Sequence, residues 1–172
     1  LNEGVVETNT LFKNLPKKIS CAGRPIGEYD EKIPSDLTAE QILIRSGNIG
    51  SVRIAQKIGG EKMKNFLQNI GVLNKIEFDI DEVGVPISFR WGKCKLATAS
   101  FGHGITTTLL QLAKGYSIIS NGGFNLKPTL IKNEHKVEKK VRVLNEEVSK
   151  KINPILRKIV STKEGTANFA NI

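Results

Sequence analysis

Apolar residues recur at helical spacing in five blocks of this chain, and the segment ahead of them reads as short strands and turns. Residues 1–35 hold two brief apolar runs, Gly4-Val5-Val6 and Thr10-Leu11-Phe12. Lys18 to Ala22 then alternates weakly up to the Gly23-Arg24-Pro25 turn, which predicts a hairpin. A first helix is expected from Thr38, where Thr38-Ala39-Glu40-Gln41 fits a capping box, through Ile42, Leu43 and Ile44. It breaks at Ser46-Gly47-Asn48. Asn48 is placed to N-cap a second helix, whose Ile49, Val52, Ala55 and Ile58 form an apolar stripe ended by Gly59-Gly60. A third helix is expected from Glu61 to Ile70, with Met63, Phe66, Leu67 and Ile70 inward and Gly71 as its stop.

Residues 72–100 read as irregular and hold the single tryptophan, Trp91. Thr108 then N-caps a helix through Leu109, Leu112, Ala113, Tyr116 and Ile119, closed by Asn121-Gly122-Gly123. Pro128-Thr129-Leu130-Ile131 predicts a strand, and Val137 to Leu144 a charged strand or hairpin. A last helix from Glu146 to Ser161 carries Val148, Ile152, Ile155, Leu156, Ile159 and Val160 on one face, with a kink expected at Pro154. There is no internal repeat. The pattern is that of one α+β domain, mostly helical, over residues 1–172.

Composition changes this picture little: 39% hydrophobic and 25% charged residues are ordinary for a soluble globular chain. No run approaches the roughly 20 apolar residues that span a bilayer, and Leu1-Asn2-Glu3-Gly4 does not start a secretory signal. The chain does not begin with Met, which fits a piece of something longer. The net charge of +9 is concentrated between Lys127 and Lys163, where eleven Lys and Arg face four Glu. Such a segment suits an anionic polymer, and a non-catalytic basic binding module is one reading of it. Twenty Lys against six Arg, however, favour a solvated surface over phosphate recognition, so nucleic acid is not the expected partner. Cys21 and Cys94 lie far apart, outside any CxxC and without a neighbouring His, so a zinc site is not expected. They either pair in an oxidising compartment or remain two buried thiols.

Common catalytic constellations are missing. There is no G-x-S-x-G, and His103 and His135 stand in unrelated contexts. Gly102-His103-Gly104 before a helix lacks the lysine and third glycine of phosphate-binding loops. Asp79, Asp81 and Glu82 read as solvated charge in a loop. No metal or cofactor is implied. Ser46-Gly47-Asn48 differs by its place between two helices, where a hydroxyl and a carboxamide can point out of the connection; alone, S-x-N is also what a helix end followed by a cap looks like.

Three stretches give that triplet a context. Leu37-Thr38-Ala39-Glu40-Gln41-Ile42-Leu43 leads into Ser46-Gly47-Asn48-Ile49-Gly50 and on to Ile54-Ala55 and Lys57-Ile58-Gly59. Ala97-Thr98-Ala99-Ser100-Phe101-Gly102-His103-Gly104-Ile105 continues to Thr108, Leu110-Gln111-Leu112-Ala113, Tyr116 and Asn121-Gly122-Gly123. Gly165-Thr166-Ala167 follows the last helix. In order and spacing these resemble the class B penicillin-binding proteins, with the Ala-Thr-x-Ser-Phe-Gly form closer to division-type enzymes. The resemblance implies part of a transpeptidase domain with the fold shared by serine β-lactamases, whose motifs are S-x-x-K, S-x-N and K-[ST]-G. It implies that Ser46 shares a proton network with an attacking serine and its lysine, and that Asn48 donates to a substrate peptide carbonyl. Implied partners are peptidoglycan stem peptides and β-lactams. The implied home of the parent protein is the bacterial inner membrane, with this domain facing the periplasm or the outside.

Departures from the family pattern shape the expectation. Neither S-x-x-K nor K-[ST]-G occurs in the 172 residues, although Asn2-Glu3-Gly4-Val5-Val6 resembles the segment after the nucleophile's helix. Leu109 stands where the family commonly has Pro, and His103 where it often has Gln or Tyr; no role falls to His103. These residues alone are therefore expected to be inactive. Without the central strands and nucleophile helix they are expected to expose sheet edges and apolar helix faces, for the rest of the domain or a second copy to cover. A pseudoenzyme or regulatory domain is the remaining alternative.

Overall fold

The computed structural model describes residues 1–87, 89–132 and 141–170. In chain order the elements are β1 (Leu11–Phe12), β2 (Lys18–Cys21), β3 (Arg24–Gly27), β4 (Leu37–Thr38), α1 (Ala39–Ile44), α2 (Asn48–Ile58), α3 (Gly60–Asn69), α4 (Lys93–Ala99), α5 (Leu109–Ser120), β5 (Phe124–Asn125), β6 (Val141–Arg142) and α6 (Glu146–Ser161), with a short 3-10 turn at Asn168–Ala170. Strands pair only as antiparallel two-stranded ribbons among the described residues: β1 with β4, β2 with β3, and β5 with β6.

Local signals explain where the helices begin. At α1 the Thr38 hydroxyl accepts the Gln41 N–H (3.2 Å) while the Gln41 side chain accepts the Thr38 N–H (2.9 Å), the expected capping box. An equivalent box opens α5, between Thr108 and Gln111. The expected β2–β3 hairpin forms, in register from Lys18 opposite Gly27 to Cys21 opposite Arg24, but its turn is Ala22-Gly23, and Arg24 and Pro25 lie inside β3 rather than in the turn. The last helix has the expected bounds and runs through Pro154, which has no N–H to donate.

Two apolar clusters hold these pieces. One gathers Phe12, Leu15, Ile26, Ile33 and Leu37 around Ile42, Ile49, Val52 and Ala97, joining the ribbons to α1, α2 and α4. Ile49 and Val52 are fully buried, each contributing about 1.5–3 kcal/mol. The second sets Leu67 of α3 and Ile70, just after it, against Ile118 of α5 and Leu144. Helices α1 and α2 approach so closely that a Cβ on Gly50 would fall 2.5–2.8 Å from the Ile42 side chain. A disulfide joins Cys21 in β2 to Cys94 in α4, across 73 residues, and so resolves the two alternatives for these cysteines.

Several expectations need correction. Asn48 is not the N-cap of α2; Gly47 is, and Asn48 takes the first helical position with its side chain turned elsewhere. Pro128–Ile131 forms no strand. The Asp79 carboxylate holds that stretch instead, accepting the Thr129 hydroxyl and the Leu130 N–H at 2.6 Å each. Within the expected 137–144 strand, Val141–Arg142 pairs with Phe124–Asn125, while 137–140, like His135, lie outside the described residues. The stretch read as irregular contains α4. On α5 the inward face centres on Gln111 and Ile118, both fully buried, whereas Leu109 is 86% and Tyr116 60% exposed.

Candidate functional site

The connection between α1 and α2 is three residues long, and its geometry follows from what surrounds it. At its start the Ser46 N–H donates to Leu43 O (3.2 Å) and the Gly47 N–H to Ile42 O (2.9 Å), closing the last turn of α1. This wrap puts Ser46 at φ +55°, the left-handed region that a non-glycine residue occupies at a cost of roughly 1–2 kcal/mol. Glycine suits the middle position for space: a Cβ on buried Gly47 would sit 3.2 Å from the Ile33 side chain. Ser46 is exposed, and its hydroxyl makes no hydrogen bond among the described residues.

Asn48 is half-buried and held twice by the end of the β2–β3 hairpin. Its Nδ2 donates to Gly27 O (2.8 Å), and its backbone N–H donates to the Glu28 carboxylate (2.7 Å). The other Glu28 oxygen accepts the Ile49 N–H at 2.9 Å. With glycine at the N-cap, α2 has no side-chain cap of its own, and a carboxylate from twenty residues upstream satisfies two of its orphan donors. The first carboxamide N–H bond is thus committed to Gly27, leaving one N–H and the Oδ1 lone pairs of Asn48 for a ligand.

Arg45, immediately before the triplet, pairs with Glu164 (3.0 Å) and Asp30 (3.8 Å). Glu164 precedes Gly165-Thr166-Ala167, so one guanidinium links the triplet to that C-terminal stretch and to the loop after the hairpin. Gly165 is buried, and a Cβ there would collide with the Ile159 carbonyl of α6. Sequence reasoning missed Gly27, Glu28 and Arg45 as parts of this arrangement. An isolated carboxylate after a strand has no periodic signature, and its relation to α2 exists only once the hairpin is docked.

A cavity of about 510 Å³ opens beside the hairpin, lined among others by Arg24, Gly27, Lys95, Thr98, Phe101 and His103 and by both cysteines of the disulfide. Gly27, whose carbonyl holds Asn48, belongs to its wall; Ser46 and Asn48 do not line it. The Lys95 ammonium donates to Gly104 O and lies 3.9 Å from the centre of the Phe89 ring. A second groove, of about 380 Å³ and almost wholly apolar, runs between α1, α3, α5 and α6, where Leu43, Met63, Phe66, Tyr116, Ile152 and Leu156 face it. The Ser149 hydroxyl is buried there without a hydrogen-bond partner among the described residues.

The basic C-terminal segment spends much of its charge internally: Lys127 pairs with Glu77, Arg142 with Glu146, Lys151 with Glu7 and Lys158 with Glu40. Hydrogen bonds from Lys150 hold the Glu146 carboxyl below its ordinary range. Among the described residues no group of three or more His, Cys, Asp or Glu is placed to hold a metal ion, and no helix is long and apolar enough to cross a membrane.

Comparisons with known proteins bear on the whole chain. The family model described as "Penicillin binding protein transpeptidase domain" matches residues 1–172. A probable peptidoglycan D,D-transpeptidase PenA of Neisseria flavescens is 28% identical over 159 residues, covering 91% of this chain and 38% of that protein. A probable peptidoglycan D,D-transpeptidase FtsI of Caulobacter vibrioides is 30% identical over 135 residues, covering 75% of this chain and 22% of that protein. The transpeptidase domain of penicillin-binding protein 3 from Burkholderia pseudomallei shares the fold, with a TM-score of 0.88 at 24% identity, over 98% of this chain and 51% of that one. The chain therefore spans about a fifth to two-fifths of the curated relatives it matches.

Proposed function

Because this chain belongs to the penicillin-binding protein transpeptidase domain family, we propose that it is the part of a peptidoglycan D,D-transpeptidase that supplies the S-x-N turn. The observation that carries the proposal is the Ser46-Gly47-Asn48 connection itself, a left-handed serine and a braced asparagine presented at the mouth of α2. In the proposed reaction a serine from an S-x-x-K motif attacks the carbonyl of a stem-peptide D-Ala-D-Ala bond, D-alanine leaves with a proton, and the acyl group passes to an amine of a neighbouring stem. Ser46 relays the proton between that serine, its lysine and the leaving amine. Its unpaired, exposed hydroxyl can donate and accept in turn. Asn48 donates its free carboxamide N–H to a substrate peptide carbonyl. A β-lactam acylates the same serine.

These residues contain neither S-x-x-K nor K-[ST]-G, so the nucleophile, its lysine and the substrate-docking strand come from polypeptide beyond them. The apolar groove between α1, α3, α5 and α6 supports a packed neighbour of that kind, as does the exposed face of Leu109, Leu112 and Tyr116 on α5. The disulfide supports folding in an oxidising compartment outside the cytoplasm, where peptidoglycan is cross-linked. The ion pairing within the basic segment weighs against an anionic-polymer module.

The test uses a fluorescent penicillin. The full-length product of the gene is expected to be labelled and residues 1–172 alone are not. Ser46→Ala in the full-length protein is expected to slow acylation by about 10²-fold or more, the scale of a lost proton-transfer partner. Labelling of Ser46→Ala at the wild-type rate refutes the assigned role.

A further inference from the structure

We infer that Glu28 is a positioning residue for the Ser46-Gly47-Asn48 turn, acting on the reaction through Asn48 rather than by touching substrate. The inference rests on the proposed transpeptidase reading for its catalytic consequence, while the bracing of the turn by Glu28 stands independently of that reading.

The turn has two ends, and they are held differently. Its front is closed by backbone bonds of α1, from Ser46 and Gly47 back to Leu43 and Ile42. Its rear begins a helix whose N-cap is a glycine with no side chain to offer. A left-handed serine persists only where its surroundings over-determine the backbone. The rear constraint comes from Glu28: one carboxylate oxygen takes the Asn48 N–H at 2.7 Å and the other the Ile49 N–H at 2.9 Å. Both bonds are charge-assisted and lie at the positive end of the α2 dipole, where an anion is most favoured. The next residue back, Gly27, takes the Asn48 carboxamide at 2.8 Å. Main chain and side chain of Asn48 are therefore referenced to two consecutive residues of one strand end. Turning the Asn48 side chain breaks the Gly27 bond, and turning its backbone breaks the Glu28 bond.

The brace is anchored in turn. Ile26, directly before this pair, is buried in the first core cluster, and the disulfide fastens the same hairpin to α4. Beyond it Asp30 pairs with Arg45, on the opposite side of the triplet. A carboxylate is required for the twin acceptance. Glutamine replaces one of the two accepting oxygens with an NH2 donor that would face a backbone N–H, and it carries no charge, whereas an aspartate keeps both oxygens and the charge on a stem one methylene shorter.

The experiment compares Glu28→Gln, Glu28→Asp and wild type in the full-length protein. It measures the rate constant of penicillin acylation separately from the affinity of the preceding non-covalent complex, together with hydrogen exchange across residues 46–50. For Glu28→Gln the acylation rate constant is expected to fall about tenfold, the scale of a lost charge-assisted bond, with affinity nearly unchanged and faster exchange at Asn48 and Ile49. Glu28→Asp is expected to recover most of the rate. Thr108→Ala, which removes the cap of α5 away from the turn, should lower the melting temperature without changing the acylation rate constant. If wild type is labelled and Glu28→Gln acylates at the wild-type rate, or slows only as much as Thr108→Ala does, the inference fails while the transpeptidase reading stands. If wild type is not labelled at all, that reading fails, and unchanged exchange at Asn48 and Ile49 in Glu28→Gln would overturn the brace by itself.

Discussion

Removing the Cys21–Cys94 bridge is the perturbation whose magnitude the structure sets most directly. The bond closes a loop of 73 residues that begins in β2, passes through α1, α2 and α3, and returns in α4. In the chain-entropy description a closed loop restricts the unfolded ensemble in proportion to the logarithm of its length, which for this loop corresponds to about 4 kcal/mol at 25 °C. That is a large share of the 5–15 kcal/mol typical of a domain. The loss should not abolish the folded state, because Ile26 and Ala97, near the two half-cystines, remain buried in the same cluster. Urea unfolding of the Cys21→Ala/Cys94→Ala double variant against the oxidised wild type measures the difference, and dithiothreitol should bring the wild type to the variant's midpoint. A loss below about 1 kcal/mol at unchanged denaturant slope would refute the reasoning, since it would mean that the unfolded chain gains no freedom from opening the loop.

Three further perturbations separate backbone, packing and charge. Ser46→Gly relieves a left-handed residue and should raise stability by about 0.5–1 kcal/mol, read from the unfolding midpoint, while abolishing the hydroxyl's contribution to acylation; a variant both less stable and fully active contradicts the turn geometry. Gly50→Ala places a methyl 2.5–2.8 Å from Ile42, which is itself buried, and should cost about 1–3 kcal/mol by forcing α1 and α2 apart; an unchanged melting temperature would disprove that contact. Hydrogen bonds from the Thr129 hydroxyl and the Leu130 N–H hold the Asp79 carboxyl below its ordinary value of 3.8. A lowered carboxyl contributes stability that is complete above its unfolded value and disappears as pH falls through the folded one, so the 129–131 stretch should stay docked above about pH 4 and loosen below it. Titration of the Asp79 carboxyl carbon by NMR at or above the ordinary value would contradict this.

Part of this architecture was legible because its causes are local. The capping box at Thr38 needs only Gln41 three residues on, and the stripe from Ile49 to Ala55 needs only helical spacing, so both are legible in the sequence. The hairpin was signalled by Gly23-Arg24-Pro25, and α6 by a long apolar face flanked by charge. The break between α1 and α2 was legible because Ser-Gly-Asn interrupts the apolar pattern of both, although the connection runs from Arg45 to Gly47 and Asn48 already belongs to α2.

Elsewhere local reading failed for stateable reasons. Pro128-Thr129-Leu130-Ile131 has the residues of a strand, but a strand needs a partner, and Asp79 from about fifty residues away takes its groups instead. Seven residues of α4 are too few for a periodic signal, and that helix is held by burial of Ala97 and Ala99 and by the disulfide. Gln111 is polar in an apolar helix, yet it is the buried face, because its carboxamide reaches Asn74 O (2.7 Å) and completes the Thr108 cap. Asn48 has the composition of an N-cap, but the capping group is Glu28 and the carboxamide goes to Gly27.

What the amino-acid order determined alone was every α-helix except α4, the caps at Thr38 and Thr108 and the break near Ser46-Gly47-Asn48, since each depends on groups within one or two turns of backbone. Tertiary structure alone decided which carboxylate holds that break, which cysteines join and which helix faces stay bare. Those outcomes depend on through-space proximity between segments tens of residues apart, and only a docked hairpin brings the Glu28 oxygens to the orphan N–H groups of α2.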